Sequence, residues 1–123
     1  MPIQVFLVED TKQLQAVISD LLGSLGDFVL AGTATTEAEA NLWLSEHPGS
    51  WDLAIIDLVL EQGTGMGVIA HCRRSAPDGK VVVFSDYVTP GIRKYCLKLG
   101  AEAAIPKADI PAFITYCTEV AAA

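Results

Sequence analysis

The chain alternates short apolar runs with longer segments in which apolar residues recur every three or four positions. A short apolar run bounded by polar or turn residues is typical of a buried strand, whereas the wider spacing is typical of an amphipathic helix. Five such runs predict five strands: IQVFLV at 3–8, FVLAGTA at 28–34, DLAIID at 52–57, KVVVFS at 80–85 and EAAI at 102–105.

Each predicted strand is followed by a segment with helical spacing. The first helix is expected to begin at a cap formed by Asp10 or Thr11 and to end at Gly26. Its apolar positions predict one inward face, made of Leu14, Val17, Ile18, Leu21, Leu22 and Leu25.

The other helices carry start and stop signals of their own. Thr36 and Glu39 form a capping-box pattern for a helix that runs through His47, and a third helix is expected over 65–75. Thr89 followed by Pro90 indicates the start of a fourth helix, which ends at Gly100. A fifth helix is expected from a cap at Asp109 through Val120.

Five strand–helix units in a row predict a parallel sheet that is covered by helices on both faces. Right-handed crossovers then give an α/β, doubly wound, three-layer sandwich. The size favours the flavodoxin-like arrangement, a five-stranded parallel sheet of order 2-1-3-4-5. At 123 residues, the sequence is expected to form one domain over 1–123.

Composition narrows the function. The formal net charge of −7 argues against direct nucleic-acid binding and against attraction to anionic membranes. The sequence has no secretory signal pattern and no apolar run of membrane-spanning length. Its three cysteines, Cys72, Cys96 and Cys117, form no CxxC pair and are expected to be reduced and buried, which favours a cytoplasmic protein.

Polar residues end or follow four of the predicted strands at their carboxyl ends, where open parallel sheets bind ligands. They are Glu9, Asp10, Asp57, Ser85 and Lys107. Three carboxylates in one pocket repel one another, and a divalent cation with oxygen ligands relieves the repulsion. The expected ion is Mg²⁺, or Mn²⁺ in its place. An ionised aspartate can also act as a nucleophile on phosphorus.

These residues, within "VFLVED", "IIDLVL", "VVVFS" and "IPK", resemble the receiver domain of bacterial response regulators over the whole chain. The resemblance implies that Asp57 accepts a phosphoryl group from a phosphohistidine. It also implies that Glu9, Asp10, Asp57 and the backbone carbonyl of Val59 hold the metal. Ser85 would be the switch hydroxyl and Lys107 would bind the phosphoryl group.

The resemblance further implies a signalling switch rather than an enzyme. The phosphodonor would be a histidine kinase or a histidine phosphotransfer protein. A downstream protein would bind the face formed by the helices at 89–99 and 109–120. If the chain is complete, output is expected through protein contact or a phosphorelay; if it is a fragment, the output domain lies outside it.

The sequence departs from the family pattern at several positions. Ala104 stands where the family carries an aromatic residue that swings inward, so the usual relay is absent unless Tyr87 or Tyr95 replaces it. Asp86 adds an acid after Ser85 and is expected to face solvent. Ala108 replaces the proline that usually follows the lysine. Val59 and Tyr87 flank the expected path of hydrolytic water and predict slow self-dephosphorylation.

Two other functions stay open. One is a receiver-like interaction domain that is never phosphorylated. The other is an enzyme on the same fold, which the sequence disfavours: a dehalogenase-type phosphatase needs a second aspartate where Val59 stands. His47 and His71 are expected on solvated helix surfaces.

The glycine-rich stretch after Asp57 is the remaining candidate phosphate site. Val68 stands where a G-x-G-x-x-G motif starting at Gly63 needs its last glycine, and a P-loop needs a lysine that is absent. Gly65 is instead expected to start the third helix, and Gly63 to allow a tight turn.

Overall fold

In the computed structural model, which describes residues 2–123, strands and helices alternate along the whole chain. The strands are β1 Ile3–Val8, β2 Phe28–Ala34, β3 Leu53–Ile56, β4 Lys80–Ser85 and β5 Ala103–Pro106. The helices are α1 Lys12–Leu25, α2 Glu37–Glu46, α3 Gly65–Ser75, α4 Pro90–Leu99 and α5 Ile110–Ala122. No helix in this part of the chain is long and apolar enough to cross a membrane.

The five strands form one parallel sheet of order β2-β1-β3-β4-β5, which confirms the predicted flavodoxin-like fold. The register pairs Val8 with Ile56, and Ile56 with Val83, so β1, β3 and β4 end close to the same level. Ser85 pairs with Pro106 at the end of β5. The residues that follow these strands therefore emerge along one edge.

The sheet separates two apolar cores. Phe6, Ile56 and Val83 point from the strands towards α2, α3 and α4, where they meet Leu44 and Ile69. On the opposite face, strand residues at alternate positions, such as Leu7, Ile55 and Val82, pack against α1 and α5, which contribute Ile18 and Phe113. Strands buried on both faces require apolar side chains at successive positions, which explains the continuous apolar runs of β1, β3 and β4.

Side-chain caps begin four of the helices. Thr11, Thr36, Thr89 and Asp109 each accept a hydrogen bond from the backbone N–H three residues later. The capping box is only half formed, because the Glu39 carboxylate accepts from the N–H of Thr35 rather than from that of Thr36. Gly100 ends α4 with φ of 122°, a conformation in which a side chain would be strained.

The inward face of α1 differs from the prediction. Ile18 and Leu22 are buried, but Val17 is 60% exposed and Gln15 is buried instead. The Gln15 amide donates to the Glu9 carbonyl oxygen at 2.8 Å, so this polar side chain is satisfied inside. The helix is therefore rolled towards Gln15, which turns Val17 to the surface.

Several boundaries and both histidines also differ. β3 is Leu53–Ile56 rather than 52–57, and β5 is Ala103–Pro106 rather than 102–105. Both histidines are half-buried rather than fully solvated. His71 bridges α3 to α2, with its ring nitrogens 3.0 Å from Asn41 Oδ1 and 3.4 Å from Ser45 Oγ. Burial, with a smaller effect of Arg74, lowers the pKa of His71.

Candidate functional site

Two neighbouring strands bring the acidic residues together. Glu9 and Asp10 follow β1, and Asp57 follows β3. The backbone N–H of Asp57 donates to the carbonyl oxygen of Val8 at 2.9 Å, which continues the ladder by one residue. Glu9, Asp10 and Asp57 each place a carboxylate oxygen within 4.8 Å of the others.

Lys107 reaches these carboxylates from the end of β5. Its backbone N–H donates to the carbonyl oxygen of Ser85 at 2.9 Å, which fixes the start of the loop beyond the strand. Its ammonium donates to Glu9 Oε1 at 2.7 Å and to Asp57 Oδ2 at 2.8 Å. Short, charge-assisted contacts of this kind hold all three side chains in one arrangement.

The site is buried and short of positive charge. Glu9 is 1% exposed and Asp57 is 5% exposed. Burial, together with a hydrogen bond to Asp10, raises the pKa of Glu9 to about 7, although Lys107 and the N–H of Thr11 act in the opposite direction. Burial lowers the pKa of Lys107, but its bonds to Asp57 and Glu9 outweigh this effect, so the pKa is raised overall.

The donor set fits a hard divalent cation. Three ionised carboxylates and one ammonium leave a formal charge of −2 when Glu9 is deprotonated. All the side-chain donors are oxygens, the ligand type that Mg²⁺ and Mn²⁺ prefer. Glu9, Asp10 and Asp57 are therefore able to hold such an ion.

Ser85 is the last residue of β4, and Val59 lies in the loop after β3. Ser85 is fully buried, and its hydroxyl oxygen accepts from the N–H of Tyr87 at 3.3 Å. The N–H of Val59 points to Asp57 Oδ1 at 3.4 Å, while its side chain is exposed. Variation of the Val59 side chain thus leaves its backbone at the cluster.

The positions that depart from the expected pattern have clear surroundings. The side chain of Ala104 is buried among the residues packed under α2, α3 and α4. Its carbonyl oxygen accepts from Arg93 Nε at 3.1 Å, which ties α4 to β5. Tyr87 and Tyr95 are both exposed, so neither ring occupies the interior beside Ala104. Asp86 is exposed, as predicted.

Sequence reasoning missed two supports of Glu9. The N–H of Thr11 donates to Glu9 Oε2 at 3.0 Å, and Gln15 binds the Glu9 carbonyl oxygen. Thr11 was predicted only as a helix cap, and Gln15 was not singled out. The one sequence signal for the contact between Gln15 and Glu9 is the position of a glutamine next to the apolar face of α1.

Comparison with known families gives a match over most of the chain. The model described as "Response regulator receiver domain" matches residues 5–115. The chain is 35% identical over 68 residues to the photosynthetic apparatus regulatory protein RegA of Rhodovulum sulfidophilum. That alignment covers 55% of this chain and 36% of RegA, so the chain spans about a third of this relative.

Solved structures share the fold at low sequence identity. CheY of Borrelia burgdorferi, in a complex with CheX, BeF3 and Mg, superposes with a TM-score of 0.82 at 19% identity, covering 94% of this chain and 89% of that one. A response regulator protein from Burkholderia pseudomallei, with a phosphorylated aspartic acid, a calcium ion and citrate, gives a TM-score of 0.76 at 21% identity. It covers 98% of this chain and 71% of the other.

Proposed function

The chain belongs to the response regulator receiver domain family, whose function is phosphorylation on an aspartate, and from this premise we propose that Asp57 is the phosphoacceptor. One observation carries the proposal: Asp57 is a buried carboxylate at the end of a central strand, held by Lys107 and beside Glu9 and Asp10. We include the whole of residues 1–123 in this one receiver domain.

The proposed reaction is transfer of a phosphoryl group from a phosphohistidine. An Asp57 carboxylate oxygen forms a new O–P bond while the P–N bond to the donor imidazole breaks. The electron pair of the broken bond stays on the imidazole nitrogen, which then takes up a proton. Little covalent chemistry is required of the protein, so positioning and charge stabilisation dominate.

Receiver domains bind Mg²⁺ in an acidic pocket, and the residues that would hold it here are Glu9, Asp10 and Asp57, with the Val59 carbonyl. The bound ion would supply positive charge to the phosphoryl oxygens and to the carboxylates. Lys107, which lies 2.8 Å from Asp57 Oδ2, is placed to donate to a second phosphoryl oxygen after transfer.

Ser85 is the proposed switch hydroxyl. Ser85 is buried, and within residues 2–123 its hydroxyl makes one hydrogen bond, which it accepts from the N–H of Tyr87 in the same turn. A donor hydrogen bond to the phosphoryl group would draw this turn towards Asp57 and shift the start of α4 between two populations. Exposed apolar side chains at Tyr95, Leu97 and Ile110 suit a downstream protein that reads the face of α4 and α5.

A histidine kinase or a histidine phosphotransfer protein is the proposed donor, and the cytoplasm is the proposed location. The cysteines, Cys72, Cys96 and Cys117, are unpaired and buried, as in proteins of reducing compartments. Burial raises the pKa of Cys72 and of Cys117 to about 12, so both stay as inert thiols.

Labelling with radioactive acetyl phosphate tests the assignment. The wild type is expected to gain an acid-stable, base-labile label in the presence of Mg²⁺, and Asp57→Asn is expected to abolish it. Asp78→Asn, in the exposed turn before the amino end of β4, is the matched control and should label normally. Absence of label in the folded wild type with every donor would instead favour a receiver-like domain that is never phosphorylated.

Slow self-dephosphorylation is a further expectation. Val59 and Tyr87 are exposed at the mouth of the site, and neither is able to act as a general base for water. The label on purified protein with Mg²⁺ is therefore expected to persist for minutes or longer. Its loss within seconds would contradict this assignment of the two positions.

A further inference from the structure

Three glycines at alternate positions, Gly63, Gly65 and Gly67, follow the acceptor strand, and they lie against either the backbone of Asp57 or the side chain of Glu37. A Cβ at Gly65 would collide with the backbone oxygen of Asp57, so the start of α3 lies directly against the phosphoacceptor. A Cβ at Gly63 or at Gly67 would instead collide with the side chain of Glu37. The glycine-rich stretch is therefore shaped around a carboxylate from α2.

The Glu37 carboxylate caps α3 from another helix. Thr64 is the N-cap residue of α3, but its side chain makes no capping hydrogen bond. Its backbone N–H donates instead to Glu37 Oε1 at 2.8 Å. A carboxylate at a helix N-terminus is favoured by the orphan N–H groups and the helix dipole, the same features that bind phosphate in glycine-rich loops.

Backbone contacts hold the same loop from both sides. The N–H of Glu37 donates to the Gln62 carbonyl oxygen at 3.0 Å. In the other direction, the N–H of Glu61 donates to the Thr35 carbonyl oxygen at 3.3 Å. The start of α2 and the loop after β3 are thus joined by three hydrogen bonds, of which only the one that the Glu37 carboxylate accepts from Thr64 depends on a particular side chain.

The held segment is continuous with the acceptor. Val59 and Thr64 form an antiparallel bridge across the loop, and the N–H of Gly65 donates to the Leu58 carbonyl oxygen at 3.0 Å. The N–H of Val59 in turn faces Asp57 Oδ1. A displacement of Thr64 therefore moves the backbone of Val59, whose carbonyl is part of the proposed metal site.

We propose that Glu37 is a positioning residue for phosphoryl transfer: its carboxylate occupies the glycine-lined N-terminus of α3 and holds the 58–64 loop, and with it Val59, against Asp57. This inference rests on the proposed function of Asp57. It assigns the anion of the glycine-rich stretch to the chain itself, which leaves no room there for an external phosphate.

The first experiment compares Glu37→Ala, Glu37→Gln and the control Glu46→Ala, which removes an exposed carboxylate from the last turn of the same helix. Amide hydrogen exchange at Thr64 and Val59 is the primary readout, without phosphodonor. Glu37→Ala is expected to lose protection at both amides, whereas Glu37→Gln, which keeps an oxygen acceptor, is expected to retain most of it.

The second readout is the site itself. Glu37→Ala is expected to be labelled by acetyl phosphate roughly tenfold more slowly and to bind Mg²⁺ more weakly, as loss of one charge-assisted hydrogen bond implies. Glu37→Gln should recover most of the rate. Measurements well below the unfolding temperature of each variant separate this effect from general instability.

A double-mutant cycle with Gly67→Ala tests the shape argument. In the wild-type background the added methyl group collides with Glu37, so both the midpoint of thermal unfolding and the labelling rate are expected to fall. In the Glu37→Ala background the same change is expected to raise the midpoint, because alanine is a better helix former than glycine. A change of the same sign in both backgrounds would overturn the inference.

The outcomes separate the two proposals. Absence of label in the wild type and in all variants is a failure of Asp57 as acceptor, and the exchange data then still report whether Glu37 holds the loop. Normal labelling, Mg²⁺ affinity and amide protection in Glu37→Ala would overturn the role of Glu37 while Asp57 stands.

Discussion

Two lysine–glutamate pairs lie at opposite ends of the strands of the same sheet. Lys107 and Glu9, at the carboxyl ends of the strands, are 2.7 Å apart, with side chains 17% and 2% exposed. Lys80 and Glu102, at the amino ends of β4 and β5, are 3.5 Å apart, with side chains 40% and 49% exposed. The residue types are the same, but only one pair has been removed from water.

The difference in burial gives the two pairs different energetic roles. An exposed pair gains little free energy, because water and salt screen it and both side chains lose freedom. Removing one partner of a buried pair is costly, because it leaves an unpaired charge in the interior. Here Lys107 is also paired with Asp57. The carboxyl ends of the strands therefore keep uncompensated negative charge inside the fold, which the proposed cation would neutralise.

The largest expected effect is on Lys107. At pH 8 without Mg²⁺, Lys107→Met should lower the free energy of unfolding by about 3 kcal/mol, because it leaves two buried carboxylates unpaired. Lys80→Met, the matched control, should change it by less than about 0.5 kcal/mol. Urea denaturation measures both. Similar losses of unfolding free energy in Lys107→Met and Lys80→Met would show that the two pairs do not differ in this way.

The pH dependence of stability tests the protonation of Glu9 at the carboxyl ends of the strands. Glu9 has a folded-state pKa raised from 4.5 to about 7, so the folded state binds its proton more tightly than the unfolded state does. The resulting stabilisation is fully present below pH 4.5 and is lost as the pH rises through about 7, an effect on the order of 3 kcal/mol.

Denaturation between pH 4.5 and 8 measures this loss, and Glu9→Gln should flatten it whereas Glu102→Gln should not. Mg²⁺ competes with the proton on Glu9, so it should stabilise the wild type more at pH 8 than at pH 6. At ten times its Kd the gain is about 1.4 kcal/mol. Equal gains at the two pH values would show that Glu9 is not a ligand.

The smallest expected effect distinguishes two helix caps. Thr11 caps α1 and its hydroxyl also lies 3.5 Å from Glu9 Oε2, while the hydroxyl of Thr89 caps α4 by accepting from Ile92. Thr11→Ala and Thr89→Ala should each cost about 1 kcal/mol of stability. Only Thr11→Ala should also weaken Mg²⁺ binding, measured by titration. Equal weakening by both variants would mean that the cap acts through general stability alone.

The regular part of the molecule was predictable from local pattern. The apolar runs gave the strands to within a residue or two at each end, and Thr11, Thr36, Thr89 and Asp109 marked the starts of helices. The proximity of Glu9, Asp10, Asp57 and Lys107 followed from the strand order, since parallel strands end at the same edge. Their individual roles remain predictions.

The features that the sequence did not predict depend on how each helix is rotated about its axis against the sheet and its neighbours. The pattern of α1 treats Val17 as an inward residue, and only the packed helix shows Gln15 inside, bonded to Glu9. The half-buried bridge from His71 to Asn41 joins residues 30 positions apart and has no local signal.

By itself, then, the sequence determined the order of strands and helices, the two-sided burial of the sheet and the set of polar residues at its carboxyl edge. These features depend on hydrophobic periodicity and on turn and helix-cap residues, which are determined by residues close together in the sequence. Only the tertiary structure decided that Lys107 joins Glu9 to Asp57, and that the glycines after Asp57 enclose the carboxylate of Glu37. Such contacts between distant residues depend on helix roll and loop path, which the packing of the whole chain sets.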